Sequence, residues 1–185
     1  MANEIVTTAI TTFYRVDLND NLYIAPTGSI RTTSGTAALA NNLATDTQID
    51  LVIDGSIIAM TGPAISLLSA ASTTSGFDTI LIGAGGLLRS VSGDGVVLSR
   101  SNEIVTNHGS IFANPSSESG VQITGNTSTV SNTGTISAGI AVDLNGTNTS
   151  LSNSGLLQGR IVVQLVGGVT TVSNTGSIQA EDQQG

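Results

Sequence analysis

The sequence predicts an all-β protein: a single-stranded parallel β-solenoid, expected to be a right-handed β-helix of about seven coils. One phrase recurs every 21 residues, as V-S-N-T-G-T-I (130–136), L-S-N-S-G-L-L (151–157) and V-S-N-T-G-S-I (172–178). A fixed period of about 20–50 residues indicates a repeat architecture. A second apolar phrase follows the glycine of most copies, and no segment shows the 3.6-residue apolar period of a helix.

The repeat extends upstream with more variation. Residues 105–111 read V-T-N-H-G-S-I, and weaker copies reach back to residue 24. The residues around the shared glycine are rich in Asn, Ser and Thr, and such segments tolerate the backbone angles that tight corners need. The predicted turn glycines are Gly28, Gly55, Gly85, Gly109, Gly134, Gly155 and Gly176.

Each coil is predicted to run strand, turn, strand, turn. Residues 140–144 read I-A-V-D-L, and this alternation is typical of a strand with one buried face. Equivalent residues of successive coils should then lie above one another, so that Val130, Leu151 and Val172 form one interior column. The solenoid is expected over residues 22–180, and coils stacked about 4.8 Å apart would give a rod about 34 Å long.

An asparagine stands two residues before the glycine in each of the four clearest copies of the phrase. Stacked Asn side chains can hydrogen-bond along the axis of such a rod, so we interpret this column as a structural ladder. The alternative is a column that binds a ligand. The members of the column are Asn107, Asn132, Asn153 and Asn174.

Composition limits the classes of partner. The chain has no lysine, five arginines and a net charge of −8, which disfavours nucleic acid and anionic membrane surfaces. The absence of cysteine excludes disulfides and cysteine–zinc sites. The sequence contains no run of 18 apolar residues, so a transmembrane helix is not expected. The first residues lack the pattern of a secretory signal peptide.

Residues 1–21 lack the repeat phrase but are strongly β-prone. They could form an N-terminal cap over the first coil. Alternatively, this strand or the first coil of a neighbouring copy could pair with an open C-terminal coil, because residues 181–185 add no second apolar phrase and form only a tail. The candidate assembly strand contains Ile5, Val6, Ile10, Phe13, Tyr14 and Val16.

Catalytic and metal-binding patterns are weak. His108 is the only histidine and takes an outward corner position. The carboxylates fall mostly in different columns, whereas glycosidases need a pair about 5–10 Å apart. We therefore predict that the protein is not an enzyme and holds no cofactor. A structural calcium ion at the turns is the alternative, and the nearest motif is the single partial match at residues 92–95.

The phrase x-N-x-G-x-I, followed by G-x-A-V-x-L, resembles the β-helical passenger repeats of bacterial autotransporters and other large secreted adhesins. The likeness is carried by residues 105–178. The start, M-A-N-E-I-V-T-T-A-I-T-T, resembles N-terminal regions of hemolysin-type calcium-binding secreted proteins. These resemblances imply a non-enzymatic β-helix, extracellular or on the cell surface of a Gram-negative bacterium.

Two functional hypotheses follow. The first is an extracellular structural protein that self-associates head-to-tail with copies of itself into a filament or surface layer. The second is a stalk or binding module of an adhesin that contacts glycans or extracellular matrix. A polysaccharide-acting enzyme is a more distant third hypothesis.

Overall fold

The computed structural model describes residues 3–16, 21–34, 39–43, 48–69, 77–168 and 170–181. Every regular element in these ranges is a β-strand, and the strands form three parallel sheets. Val130 pairs with Leu151, and Leu151 pairs with Val172, so the repeat phrase stacks on itself without a register shift. The predicted parallel β-solenoid is therefore confirmed.

Each sheet collects one strand from successive coils. The first sheet contains β1 (Asn3–Val6), β4 (Asn21–Ile24), β7 (Asp50–Ile53), β10 (Thr79–Ile82), β13 (Ile104–Asn107), β16 (Thr129–Asn132), β19 (Ser150–Asn153) and β22 (Thr171–Asn174). The second contains β2 (Ala9–Ile10), β5 (Ser29–Thr32), β8 (Ser56–Ala59), β11 (Leu87–Ser90), β14 (Ser110–Phe112), β17 (Thr135–Ser137), β20 (Leu156–Gly159) and β23 (Ser177–Ala180). The third contains β3 (Tyr14–Arg15), β6 (Leu39–Leu43), β9 (Ile65–Ser69), β12 (Val96–Leu98), β15 (Ser119–Ile123), β18 (Ile140–Leu144) and β21 (Ile161–Leu165).

A full coil contains three strands, where the sequence pattern predicted two. The repeat phrase is itself bent, because β16 ends at Asn132 and β17 begins at Thr135. The bend at Asn-x-Gly sends the two halves of the phrase into different sheets. Val130 and Ile136 both remain fully buried, so the alternation of inward and outward residues continues through the corner.

The coiling begins at Asn3, before the predicted start at residue 22. The strands β1, β2 and β3 pair in parallel with β4, β5 and β6, so residues 3–16 supply the first strand of every sheet. Val6 and Val16 are buried in the same core as the later coils. The segment is thus an integral coil of its own chain. Residues 17–20 and 182–185 lie outside the described ranges.

The core is a continuous aliphatic stack between the three sheets. Ile30, Ile57, Leu88 and Ile111 show the pattern, since each is fully buried and pairs in register with the next. Burying one such side chain stabilises the fold by about 1.5–3 kcal/mol. Cohesion along the rod therefore comes from these columns together with the inter-strand backbone hydrogen bonds.

Candidate functional site: the C-terminal coil and its asparagine ladder

The four asparagines form a hydrogen-bonded ladder parallel to the rod axis. Asn107 Nδ2 donates to Asn132 Oδ1 at 2.7 Å, Asn132 Nδ2 to Asn153 Oδ1 at 2.7 Å, and Asn153 Nδ2 to Asn174 Oδ1 at 2.6 Å. The first three side chains are buried. All three of these hydrogen bonds are donated toward the C-terminal end, so the ladder has a direction.

The amides of Asn107, Asn132 and Asn153 also fix the corner of the coil that follows. Asn132 Nδ2 lies 3.2 Å from the carbonyl oxygen of Leu156, and Asn153 Nδ2 lies 3.3 Å from that of Ser177. A buried polar group is stable only when its hydrogen bonds are made, and these amides meet that condition through the next coil. The ladder therefore joins successive coils.

Asn174 is the last asparagine of the ladder in the described residues. Among the described residues, Asn174 Nδ2 donates only to the carbonyl oxygen of Gly176 in its own coil, at 3.2 Å. Within residues 170–181 and the other described ranges, it lacks the axial acceptor that Asn107, Asn132 and Asn153 each have. The last rung of the ladder thus presents a directed amide donor at the C-terminal end of the rod.

Aliphatic side chains are also uncovered at this end. Val172 is 42% exposed and Ile178 46% exposed, whereas their column neighbours Leu151 and Leu157 are 1% and 0% exposed. The strands β21, β22 and β23 are the last of their sheets, so each has one edge without a neighbouring strand in the described residues. We call the surface formed by β21–β23, Val172, Asn174 and Ile178 the C-terminal face.

The N-terminal end differs in chemistry. Glu4 occupies the column that Leu22 continues, and the Tyr14 hydroxyl donates to Glu4 Oε2. A carboxylate and a phenol thus stand in columns that are aliphatic further along the rod. Apolar residues of this first coil are also little exposed, since Val6 is 6% and Val16 0% exposed.

The structure places the candidate assembly strand residues on both sides of the first coil. Val6 and Val16 are buried, while Ile10 and Tyr14 are partly buried against the core. The other two, Ile5 and Phe13, are exposed.

The turn glycines are explained by close stacking of coils. A Cβ on Gly134 would lie 2.1 Å from the carbonyl oxygen of Gly109 in the preceding coil, and one on Gly109 would lie 2.3 Å from that of Gly86. At the fourth coil Gly86 takes the stacked position rather than Gly85, beside which a Cβ would have room. The remaining stacked glycines are Gly28, Gly55, Gly155 and Gly176.

Sequence reasoning missed a buried ionic cluster beside the first sheet. Asp78, Arg100 and Glu103 are all fully buried. Arg100 Nη1 lies 3.2 and 3.1 Å from the two carboxylate oxygens of Asp78, and Asp78 Oδ1 also accepts from the Ile49 amide at 3.0 Å. Burial raises the pKa of Asp78, and the nearby Arg100 opposes that rise.

Glu103 is the least compensated member of this cluster. Its Oε1 accepts from the Arg100 amide at 3.1 Å, while its Oε2 is buried without a hydrogen-bond partner among the described residues. Burial raises the pKa of Glu103 to about 9. The raised pKa favours the protonated, neutral form of Glu103 at pH 7. The one sequence signal for its inward position is the alternation Glu103–Val105–Asn107, which places all three on one side of the chain.

Three other carboxylates make contacts that serve the fold. Asp54 Oδ2 accepts from the Tyr23 hydroxyl at 3.0 Å, Asp94 Oδ1 from the Ser119 amide at 2.6 Å, and Asp143 Oδ2 from Asn145 at 3.0 Å. His108 is exposed, with Nδ1 2.6 Å from Thr133 Oγ1. No three His, Cys, Asp or Glu residues within the described ranges are grouped so that they could hold a metal ion.

One surface groove combines apolar lining with a cation. It measures about 380 Å³ and is lined by Arg89, Val91, Phe112 and Pro115, among others. Val91 and Phe112 are each more than a third exposed. No acidic residue occurs in any strand of the second sheet, where Arg89 lies. The groove could therefore accept a ligand with an apolar face and an anionic group.

In the described part of the chain, no helix could cross a membrane. Comparison with protein-family models, with curated proteins and with solved structures found no match for this chain.

Proposed function

We propose that this chain is a non-enzymatic structural stalk: a rod-like segment of a surface protein whose coil stack is extended at its C-terminal face. The observation that carries the proposal is the contrast between the two ends. The N-terminal end bears the Glu4–Tyr14 pair, whereas the C-terminal end exposes Val172, Ile178 and the last ladder amide. Exposed apolar columns and open strand edges favour the addition of further strands.

The interior supports a mechanical role. Aliphatic columns, paired strands and the Asn ladder all act between successive coils, so each coil holds its neighbours in fixed register. A solenoid built this way behaves as a stiff spacer, because each coil contacts mainly the coils beside it. Asp54, Asp94, Asp143 and His108 make structural contacts, which agrees with a role as scaffold.

The head-to-tail filament is less well supported by the geometry. If the first coil of another copy continued the stack in register, Glu4 would lie over Val172, and Val6 would lie over Asn174. A carboxylate would then enter an aliphatic column, and the ladder amide would meet a valine. Both contacts cost free energy on burial.

Contact with glycans or matrix belongs to the same proposal and has a candidate location. The groove beside Arg89 and Phe112 offers a guanidinium next to an exposed ring. We infer that the protein lies outside the cell, where the groove of such a stalk would contact glycans or matrix.

Sedimentation velocity and negative-stain microscopy of the purified chain test the stalk proposal. We expect single rods, with an axial length of about 34 Å for the eight strands of the first sheet. Filaments with an axial repeat of one chain length would overturn it in favour of self-assembly. The same preparation should be imaged with calcium and with a chelator, since a calcium-dependent filament would also contradict the proposal.

A further inference from the structure

We propose that the C-terminal face binds a β-solenoid coil with an asparagine in the ladder column, and that it discriminates against the chain's own first coil. This inference rests on the proposed function, because it names the partner that extends the stalk. The partner is another solenoid segment that reads aliphatic-x-Asn-x-Gly-x-aliphatic.

The ladder specifies this partner through its direction. Asn107, Asn132 and Asn153 each donate forward to the Oδ1 of the next asparagine, whereas Asn174 has no forward acceptor in the described part of the chain. A coil stacked on the C-terminal face removes Asn174 from water. Its Nδ2 then needs an acceptor at about 2.7 Å, which an asparagine in register supplies in the way Asn153 does for Asn132.

The aliphatic columns add a second requirement. Val172 and Ile178 continue columns formed by Leu151 and Leu157, so the partner must carry branched aliphatic residues at both positions. These two positions flank the Asn-x-Gly corner at the spacing of the repeat phrase. The partner phrase is thereby defined by three contacts in two sheets.

The chain's own first coil meets only part of this specification. Its Ile10 stands in the column of Ile178 and matches it, because β2 is the first strand of the second sheet. Glu4 and Val6, however, stand in the columns of Val172 and Asn174. The wrong coil would offer Asn174 Nδ2 only a backbone carbonyl, as Leu156 does for Asn132, and the short bond to an asparagine Oδ1 would be lost. Loss of that hydrogen bond disfavours the wrong coil by about tenfold in affinity. The interface therefore selects a partner by hydrogen bonding as well as by apolar area.

Two insertion variants of the full chain test the inference. The first has a second copy of residues 160–180 inserted between Ala180 and Glu181, which preserves the 21-residue period. The second is identical except that the inserted copy of Asn174 is replaced by Val. Amide hydrogen exchange of β22 and β23 is measured in the parent and in both variants, and exchange of β10 shows whether the rest of the rod is unchanged.

We expect the asparagine insert to slow exchange in β22 and β23 roughly tenfold more than the valine insert does. Equal slowing by both inserts would overturn the inference while leaving the stalk proposal standing. No slowing by either insert would overturn both, because the face would then accept no further coil. Filaments formed by the unmodified chain would show that a second copy occupies the face, which also contradicts the inference.

The side-chain amide of Asn174 gives an independent readout. In ¹⁵N-labelled protein, its NH₂ protons should exchange with water readily in the parent chain and be protected in the asparagine insert, as those of Asn132 and Asn153 are expected to be in both. The valine insert offers Asn174 only the backbone carbonyl of the added coil, so equal protection of Asn174 in the two inserts would contradict the proposed acceptor. This measurement concerns the ladder directly and does not depend on the overall stability of the inserted coil.

Discussion

Replacing Glu103 by glutamine should remove a large pH dependence of stability. The carboxyl group is fully buried, and its pKa is raised from 4.5 to about 9 by burial. Between these two values the folded protein retains a proton that the unfolded chain has lost. The contribution of Glu103 to the free energy of unfolding is therefore full below pH 4.5 and decreases as the pH rises to about 9.

The size of the effect follows from the gap between the two pKa values. pH 7 lies about 2.5 pH units above the ordinary pKa of 4.5, and each unit corresponds to about 1.36 kcal/mol. The free energy of unfolding at pH 7 is therefore lower by on the order of 3 kcal/mol than it is below pH 4.5. Glutamine keeps the shape and cannot ionise. Its extra N–H adds a roughly constant cost of about 1–3 kcal/mol if it finds no acceptor.

Urea denaturation of both proteins at pH 5, 6, 7, 8 and 9 measures the difference. We expect the stability of the Gln variant relative to the wild type to increase steadily with pH, and to increase less steeply as the pH approaches 9. Glu118→Gln, at a partly exposed position, serves as the matched control for replacing one carboxyl group by an amide. Parallel curves for Glu103→Gln and the wild type would refute the reasoning, because they would show that Glu103 is ionised in the folded protein.

Three further substitutions test the corners and the groove. Gly134→Ala should destabilise the protein by about 2–3 kcal/mol in urea titrations, because its Cβ would meet a backbone oxygen at 2.1 Å, while Gly168→Ala, with nothing within 4 Å, should change stability little. Thr127→Asn should stabilise by about 1 kcal/mol in the same assay, because Thr127 has a φ of 56° that asparagine adopts more readily; a loss of stability would contradict this. Arg89→Gln should weaken retention on an acidic polysaccharide about tenfold in affinity electrophoresis. The control Arg15→Gln removes the same charge, and equal weakening would show that the groove is not the binding site.

The interior columns could be predicted from sequence because the 21-residue spacing leaves no freedom in register. Once Val130, Leu151 and Val172 are recognised as equivalent, parallel stacking places them on one another. The asparagine positions follow by the same reasoning, since each lies two residues further along the same strand. Periodicity alone therefore defined both the apolar columns and the ladder.

The first coil was missed for a reason that the glycines explain. A corner glycine is needed because its coil packs on the backbone of the coil before it, as Gly28 packs on the carbonyl oxygen of Val6. The first coil has no predecessor in the described stack, and Thr8 stands at the equivalent corner. The repeat phrase therefore fails to mark the first coil even though the backbone already follows the same path.

The third strand of each coil and the buried charged residues could be identified only from the structure. The phrase spans a corner where Asn132 and Gly134 stay on the same side of the chain as the apolar residues, so a single alternating pattern concealed a change of sheet. Asp78 and Glu103 continue that alternation as well. Charged residues are rarely fully buried, which made a surface position the natural expectation for both.

The ladder has a consequence for how the length of such a rod can vary. Its asparagines need the same Asn-x-Gly bend in every coil, and Asn132, Asn153 and Asn174 are each separated by 21 residues. Duplicating or deleting one whole unit in this region would leave every remaining contact type unchanged. The molecule would then lengthen or shorten in steps of about 4.8 Å, the spacing between adjacent coils.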